Sequence, residues 1–389
     1  MKIIFWISIA LVFYTFFGYG IVLLFLVKLR ALIKGKRKTP TINLSELPTL
    51  SLVVAAYNEE NFIAEKIQNT LSLSYPAEKI QYIFVTDGST DNTPQIISKY
   101  PQITLMHKPE RNGKIAAVHR AMKDVKTDVV IFTDANTFLN KEALINICRH
   151  YSDEKVGCVS GEKRVHIEDV ADATAGEGFY WKYESKLKQW DAELYSVVGA
   201  AGELFSVRTK LYEPVATDTI LDDFMISLLI AEKGYRIVYE PEAYATETSS
   251  ENVDEEMKRK VRIAAGGIQS IIRLSALMNV FKYPVLSFQY ISHRVLRWTI
   301  TPFLMIFAFV LNASIAFNTK EIFYEVLFAL QVLFYLSALL GWMLERRQLH
   351  IKILFIPFYF CMMNYAVIAG IIRYFSGKQK VTWEKAKRK

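Results

Sequence analysis

Five groups of residues in this sequence have types and spacings suited to chemistry. Asp87 follows the apolar run Tyr82–Val85, and a carboxylate on the turn after a strand accepts hydrogen bonds from a ribose hydroxyl or a base N–H, while Gly88 lets the backbone turn. Asp134-Ala135-Asn136 sets a carboxylate and an amide oxygen two residues apart, a set suited to a hard divalent cation on a diphosphate. Arg111-Asn112-Gly113-Lys114 brings a cation to the start of a helix, where phosphate is favoured. Asp222 and Asp223 open the helical stretch Leu221–Glu232, closed by Gly234. Side by side, two carboxylates raise the pKa of at least one, which suits a general base. Arg259, Lys260 and Arg262 offer cations to a departing diphosphate. Each signal alone also has a plain structural account. Asx turns explain Asp87, Asp91 and Asn92, a strand-ending turn explains Asp134, and a solvated loop explains Lys114. The helix dipole explains Asp222-Asp223, and an amphipathic segment lying on a membrane explains the basic run.

The elements that must position these residues alternate. Ser51–Ala56 is a continuous apolar run ending at Tyr57-Asn58-Glu59-Glu60, as buried parallel strands read. Strands are expected again at Tyr82–Val85, Ile103–His107 and Asp128–Phe132, with a helix opened by Pro94 and another over Ala116–Lys123. This order implies a parallel α/β sheet with right-handed crossovers, whose ligands bind at the carboxyl ends of the strands. Asn58, Glu59, Asp87 and Asp134 fall at those ends.

Hydrophobic residues make up 52% of the 389, yet 22% are charged, and the two are segregated. Ile3–Val27 holds no charged residue and is long enough to span a bilayer. It is too long for the apolar core of a signal peptide and runs past Gly18-Tyr19-Gly20, the nearest cleavage-like site. Lys28, Arg30, Lys34, Lys36, Arg37 and Lys38 follow it as a cytoplasmic flank, which puts the soluble middle in the cytoplasm. Further spans are expected at about 299–317, 322–343 and 352–372. Four crossings would place the basic tail Lys378–Lys389 outside, so either one apolar segment is re-entrant or interfacial or the orientation rule is overridden. Cys148, Cys158 and Cys361 have no metal-ligand spacing and are expected to stay reduced. Much of the net charge of +8 flanks the membrane segments, so anionic lipid headgroups, not nucleic acid, are the expected partner.

Taken in order, Asn58-Glu59-Glu60, Asp87-Gly88-Ser89-x-Asp91, Asn112-Gly113-Lys114, Asp134-Ala135-Asn136, Gly199–Glu203 and Asp222-Asp223 resemble the family 2 glycosyltransferases of GT-A fold over roughly residues 50–265. The flanking helices resemble those of membrane-bound members such as the hyaluronan, chitin, cellulose and poly-N-acetylglucosamine synthases. The resemblance implies an α/β fold with a mostly parallel sheet plus α-helical transmembrane segments. The implied layout is a membrane helix over 1–30, a catalytic domain over 45–262, interfacial helices over 263–298, membrane helices over 299–375 and a basic tail over 376–389. It implies that Tyr57, Glu59 and Asp87 bind uracil and ribose, that Lys114 contacts the donor diphosphate or its neighbourhood, and that Asp134 and Asn136 hold Mg²⁺ or Mn²⁺. Gly199, Ala200, Ala201 and Gly202 would shape the acceptor side, and Asp223, beside Asp222, would be the base. Arg259-Lys260-Val261-Arg262-Ile263 sits where processive synthases carry Gln-x-x-Arg-Trp. Asn136 in place of Asp removes a negative charge from the metal motif. Ile263 in place of Trp removes an aromatic face for a sugar ring, although Arg262 keeps a phosphate-binding cation.

The activity this implies is inverting transfer from a UDP-sugar to a cell-surface polysaccharide at the inner membrane, with Tyr290, His293, Arg294, Arg297 and Trp298 lining an exit path. The Gln and Trp losses favour the alternative, a single transfer to a lipid acceptor such as a polyprenyl phosphate or a sphingolipid. An inactive nucleotide-sugar-binding partner of a transport complex is the alternative of another class.

Overall fold

A computed structural model describes residues 1–41, 43–166, 174–248, 252–347, 349 and 351–379. The first apolar run after the N-terminal helix becomes β1 (Leu50–Ala56), flanked in the sheet by β2 (Ile80–Asp87) and β4 (Val129–Asp134), with β3 (Ile103–Lys108) outside β2. These four are parallel and in register, Leu50 opposite both Ile80 and Val129. Their residues alternate between two cores, Val53, Ile83 and Val130 on one face and Leu50, Leu52 and Ile131 on the other, which is why the strands read as unbroken apolar runs.

The remaining strands are β5 (Phe138–Leu139), β6 (Val156–His166), β7 (Leu204–Arg208) and β8 (Arg236–Thr248). The order is β3-β2-β1-β4-β7-β6-β8-β5, with β7 antiparallel to both its neighbours and β5 antiparallel to β8. The sheet is thus parallel through the half that carries the sequence motifs and mixed beyond it. A solvent-side alternation is absent from both halves because helices cover each face.

Four helices are long and apolar enough to cross a membrane: Lys2–Lys34, Thr301–Thr319, Ile322–Arg346 and Lys352–Phe375. The first runs antiparallel to the second, Lys2 pairing with Glu321 at 2.5 Å and Thr15 meeting Thr301 at 3.1 Å. Its second half continues beyond them onto the sheet-bearing domain, where Tyr19 and Leu23 pack on Leu187 of the helix Thr174–Leu194. The helix Val253–Arg273, capped by Asn252, starts ten residues before the boundary expected at 263, so Arg259 and Arg262 sit within it. The last helix lies along it. Phe355, Phe358, Tyr359 and Met362 pack on Val253 and Met257, and a Cβ at Gly370 would come 2.6 Å from that of Ala264. Farther on, Ile371 and Phe375 border an apolar groove with Thr299, Phe303 and Phe307, at the start of Thr301–Thr319. Most of the basic tail lies outside the described residues.

Candidate active site

At the carboxyl end of β2, Asp87 is 4% exposed. Its Oδ2 accepts the backbone N–H groups of Asn112 and Gly113 at 2.7 and 2.6 Å, and its Oδ1 faces Arg120 at 3.4 Å. Asp87 therefore fixes the loop that leads to Lys114. Arg111, in that loop, lies over the Tyr57 ring at 3.9 Å, so one cation–aromatic stack closes this end of the sheet. Glu59 is buried beside it, its N–H donated to Thr93 Oγ1 at 2.8 Å.

Lys114 begins its helix right after Gly113, whose φ of +94° suits glycine. Its Nζ reaches Asp134 Oδ1 at 2.8 Å and Asp222 Oδ2 at 3.8 Å, and thereby joins the end of β4 to the helix Asp222–Glu232. Burial opposes the charge on Lys114, but Asp134, Asp222 and Asp223 outweigh it and hold its pKa above the ordinary lysine range. Arg262 comes from the membrane side, donating to Ile220 O at 3.2 Å within the field of Asp222, Asp223 and Asp134. Burial lowers its pKa against that field.

Asp223 turns the other way. Burial, then the neighbouring Asp222, push its carboxyl up to about 7. Gly202 lets the turn before β7 lie against it: a Cβ there would be 3.2 Å from Asp223 Oδ2. Gly199, at φ +93°, packs so tightly on Phe224 that a Cβ would meet the ring at 2.2 Å. Ala200 and Ala201 donate their N–H groups to Ser227 and Ser160 at 3.0 and 3.1 Å. The expected acceptor loop is thus locked against the helix that opens with Asp222 and Asp223.

Beyond Asp223 opens a cavity of about 380 Å³ whose walls include Ala200, Ala201, Arg259, Trp298, Phe360 and Phe16. It runs from the carboxylate to the membrane-type helices. Arg259 lines this cavity, and no ion pair or hydrogen bond joins it to Lys114 among the described residues. It faces Glu247 at 3.4 Å and Glu256 at 3.9 Å, and these carboxylates, with Glu203, raise its pKa against burial. Lys163 pairs with Glu203 at 2.7 Å and also with Glu247. Trp298 lines the same cavity and packs on Phe224, ring centroids 5.4 Å apart, so an aromatic wall is present although Ile263 is not aromatic. Of the expected exit-path residues, Arg294, Arg297 and Trp298 reach the cavity, while Tyr290 and His293 are buried away from it.

Several of these residues carry no local sequence signal. Lys66 reads as an exposed helix position, yet it is fully buried beneath the Asp134 turn, donating to Thr137 O at 2.7 Å and Thr133 Oγ1 at 3.2 Å. Burial lowers its pKa to about 7 against the pull of Asp134. Lys163, Glu247 and Lys188 likewise come from separate elements and meet Glu203 or its surroundings only in three dimensions.

The oxygen donors at the end of β4 are few. Among the described residues no three of His, Cys, Asp and Glu gather as a metal cage. Asp134 and Asn136 fit a divalent ion that keeps other ligands, as Mg²⁺ does when one or two carboxylates and substrate phosphates share it.

A model of the family described as glycosyl transferase family 2 matches residues 51–215, from β1 through Val215, short of Asp222. Poly-beta-1,6-N-acetyl-D-glucosamine synthase of Staphylococcus aureus is 28% identical over 260 residues, 64% of this chain and 62% of that protein. A probable glycosyltransferase of Bacillus subtilis, YdaM, is 24% identical over 60% of this chain and 59% of its own length. The chain thus spans about three fifths of the length of these curated relatives. Among solved structures, a mannosyltransferase from Pyrobaculum calidifontis, in complex with GDP-Man and Mn²⁺, superposes with a TM-score of 0.72 over 97% of this chain and 100% of that one, at 23% identity. That likeness gives the fold, helices included. The chain carries a glycosyltransferase family 2 domain of GT-A fold, joined to helices of membrane-spanning length.

Proposed function

We propose that this chain transfers a sugar, with inversion, from a UDP-sugar to a hydroxyl of an acceptor that enters through the membrane-side cavity. The observation that carries this reading is the position of Asp223. Its carboxylate stands between the Lys114–Asp134–Asp222 cluster and the cavity, and its pKa of about 7 suits proton abstraction near neutral pH.

In the transfer, the acceptor oxygen forms a bond to the anomeric carbon as the bond from that carbon to the diphosphate oxygen breaks. The acceptor proton goes to Asp223, and the leaving diphosphate takes the electron pair beside Lys114 and Arg262. Fixed cations at the position of developing charge act without reorganisation. Asp87 holds the loop that carries Lys114, and the Tyr57–Arg111 stack offers a flat surface to the base. A divalent ion at Asp134 and Asn136 would neutralise the diphosphate when bound; the Mn²⁺ named with the Pyrobaculum enzyme supports that choice.

The relatives that make poly-beta-1,6-N-acetyl-D-glucosamine favour extension of a cell-surface polysaccharide. The apolar lower wall of the cavity favours a lipid-borne acceptor as the second reading. The basic stretch Lys28–Lys38 supports a catalytic domain at the cytoplasmic face of the inner membrane, against anionic headgroups. The test is nucleoside diphosphate release by the purified chain from a panel of UDP-sugars and GDP-mannose with Mg²⁺ or Mn²⁺, followed by chromatography of labelled product. Release from one UDP-sugar supports the reading; none from any donor refutes it. A ladder marks the polymer, and a single organic-soluble species marks the lipid acceptor.

A further inference from the structure

The helix Val253–Arg273 holds the approach to the two adjacent carboxylates. One stripe of it, Arg262, Gly266, Gln269 and Arg273, lies along the segment 218–221 that runs into Asp222 and Asp223. Gln269 is 4% exposed, and its amide spans that segment. Its Oε1 accepts the Ile220 N–H and its Nε2 donates to Asp218 O, both at 2.9 Å. From one side Arg262 donates to Ile220 O at 3.2 Å. From the other Arg273 donates to Thr219 Oγ1 at 3.1 Å and to Asp218 Oδ2 at 2.6 Å. Between them Gly266 lets Ile220 and Leu221 lie against the helix: a Cβ there would meet Leu221 Cγ at 2.6 Å and Ile220 Cγ2 at 2.8 Å. A buried amide is costly unless bonded, and both atoms of this one are bonded to the backbone just ahead of Asp222.

The helix is seated on its other sides as well. A Cβ on Gly267 would meet the Trp298 ring at 2.4 Å, and one on Gly370 of the last helix would meet Ala264 Cβ at 2.6 Å and Ala265 N at 2.8 Å. Neither contact leaves room for a methyl group, so the stripe has a fixed position from which to act. Leu221 opens the helix Asp222–Glu232, its C=O accepting the Met225 N–H at 3.1 Å. A shift of Ile220 therefore carries the first turn, and both carboxylates, with it. Arg262, the cation proposed for the leaving diphosphate, stands on the same stripe two turns before Gln269.

We infer that Gln269 is a positioning residue for the transfer: by holding the backbone of Asp218 and Ile220 it fixes where Asp223 stands against the cavity and against Arg262. This rests on the glycosyl-transfer reading above and adds to it a residue outside the lining of the cavity. Gln269 exchanges no proton and contacts the reacting groups only through the segment it holds.

The test compares Gln269→Leu and Gln269→Glu with the parent, as full chains in detergent. Leu offers the segment no hydrogen bond, whereas Glu keeps an acceptor for the Ile220 N–H. With a UDP-sugar that the parent turns over, kcat of Gln269→Leu should fall about tenfold or more, the scale of a small misplacement of a reacting group. Donor KM should stay within about twofold, because Tyr57, Asp87 and Lys114 stand on other elements. Gln269→Glu should lie between Leu and the parent. A misfolded fraction would also lower kcat, so the pH profile of kcat/KM is measured too. Its apparent pKa of about 7 reflects the burial of Asp223 and its neighbours Asp222, Lys114 and Glu203. In Gln269→Leu it should move by about half a pH unit or more, which a misfolded fraction cannot cause. A second readout needs no turnover: the melting temperature that Asp223→Asn gains between pH 5 and pH 8. Adding Gln269→Leu to both proteins should cut that gain to about half or less, since a carboxylate no longer held in place reaches water. Unchanged kcat, an unmoved profile or an unaltered melting gain overturns the inference. If Gln269→Leu does not fold, Gln269→Glu decides by the same measurements, with a fall of about threefold or more expected in kcat. No turnover of any donor by the parent refutes the transferase reading, and the melting comparison then decides alone whether Gln269 fixes Asp223.

Discussion

Replacing Asp223 with Asn should remove activity and stabilise the protein, and the stabilisation should depend on pH. The folded chain pushes this carboxyl from its ordinary 3.8 up to about 7. At about 1.4 kcal/mol per decade, that difference corresponds to about 4 kcal/mol against the ionised form. Asp223 keeps some exposed surface toward the cavity, so water screens part of this, and about 2 kcal/mol is the working figure. The sign follows from linkage. Because the folded state holds the proton more tightly than the unfolded chain, the penalty is absent below about pH 4, grows as pH rises, and is complete above about pH 7. Asn has no charge to bury. Thermal unfolding in detergent at pH 5, 6.5 and 8 should show the variant gaining progressively, reaching about 5 °C at pH 8 for a domain of this size. In parallel, transfer should fall by a factor of about 10² to 10⁴, the usual value of a general base, while nucleotide affinity stays within a few-fold. Transfer within tenfold of the parent, or a melting difference that does not change with pH, would refute the assignment.

Other perturbations test other parts of the site. In the parent, kcat/KM should rise with pH up to an apparent pKa of about 7 and fall tenfold per unit below it; a flat profile from pH 5 to 8 argues against Asp223 as base. Lys114→Met leaves Asp134 and Asp222 facing each other without their shared cation, and donor KM should rise about tenfold or more by the scale of a charge-assisted hydrogen bond. Asn136→Asp adds a carboxylate to the metal motif and should lower the Mn²⁺ concentration for half-maximal release, measured by metal titration. Gly199→Ala drives a methyl into Phe224, 2.2 Å away, at a positive φ, so a melting temperature several degrees lower is expected.

The half of the fold that was legible in the sequence is the parallel half. Buried strands flanked by helices leave continuous apolar runs, and their carboxyl ends are marked by Asp87 and Asp134, so their positions follow from the order of the chain. Asp222-Asp223 was legible for the same reason, as acidic residues at a helix start. The acceptor side was not. Glu203 on β7's approach, Lys163 on β6, Glu247 on β8 and Arg259 on a later helix pair across the chain, and nothing local marks a charge whose partner lies decades of residues away. Lys66 and Lys188 show the same limit in sharper form. Each occupies a helix position where lysine is ordinarily solvated, and only packing reveals that both are buried. Ile263 stands where the resemblance expects a Trp, and Trp298, from another element, supplies an aromatic wall to the same cavity.

The path of the last helix differs from that of the hairpin before it. It begins after Arg346, which faces Asp254 at 3.4 Å, and it finishes beside Phe303 and Phe307, near where the helix Thr301–Thr319 begins. Both points lie at the domain-facing base of the hairpin made by Thr301–Thr319 and Ile322–Arg346. A segment that starts and stops at one base spans the foot of the hairpin and not its height. If the first helix and the hairpin cross a bilayer, this helix lies along its domain-side surface, and Phe375 ends on the side where the helix began.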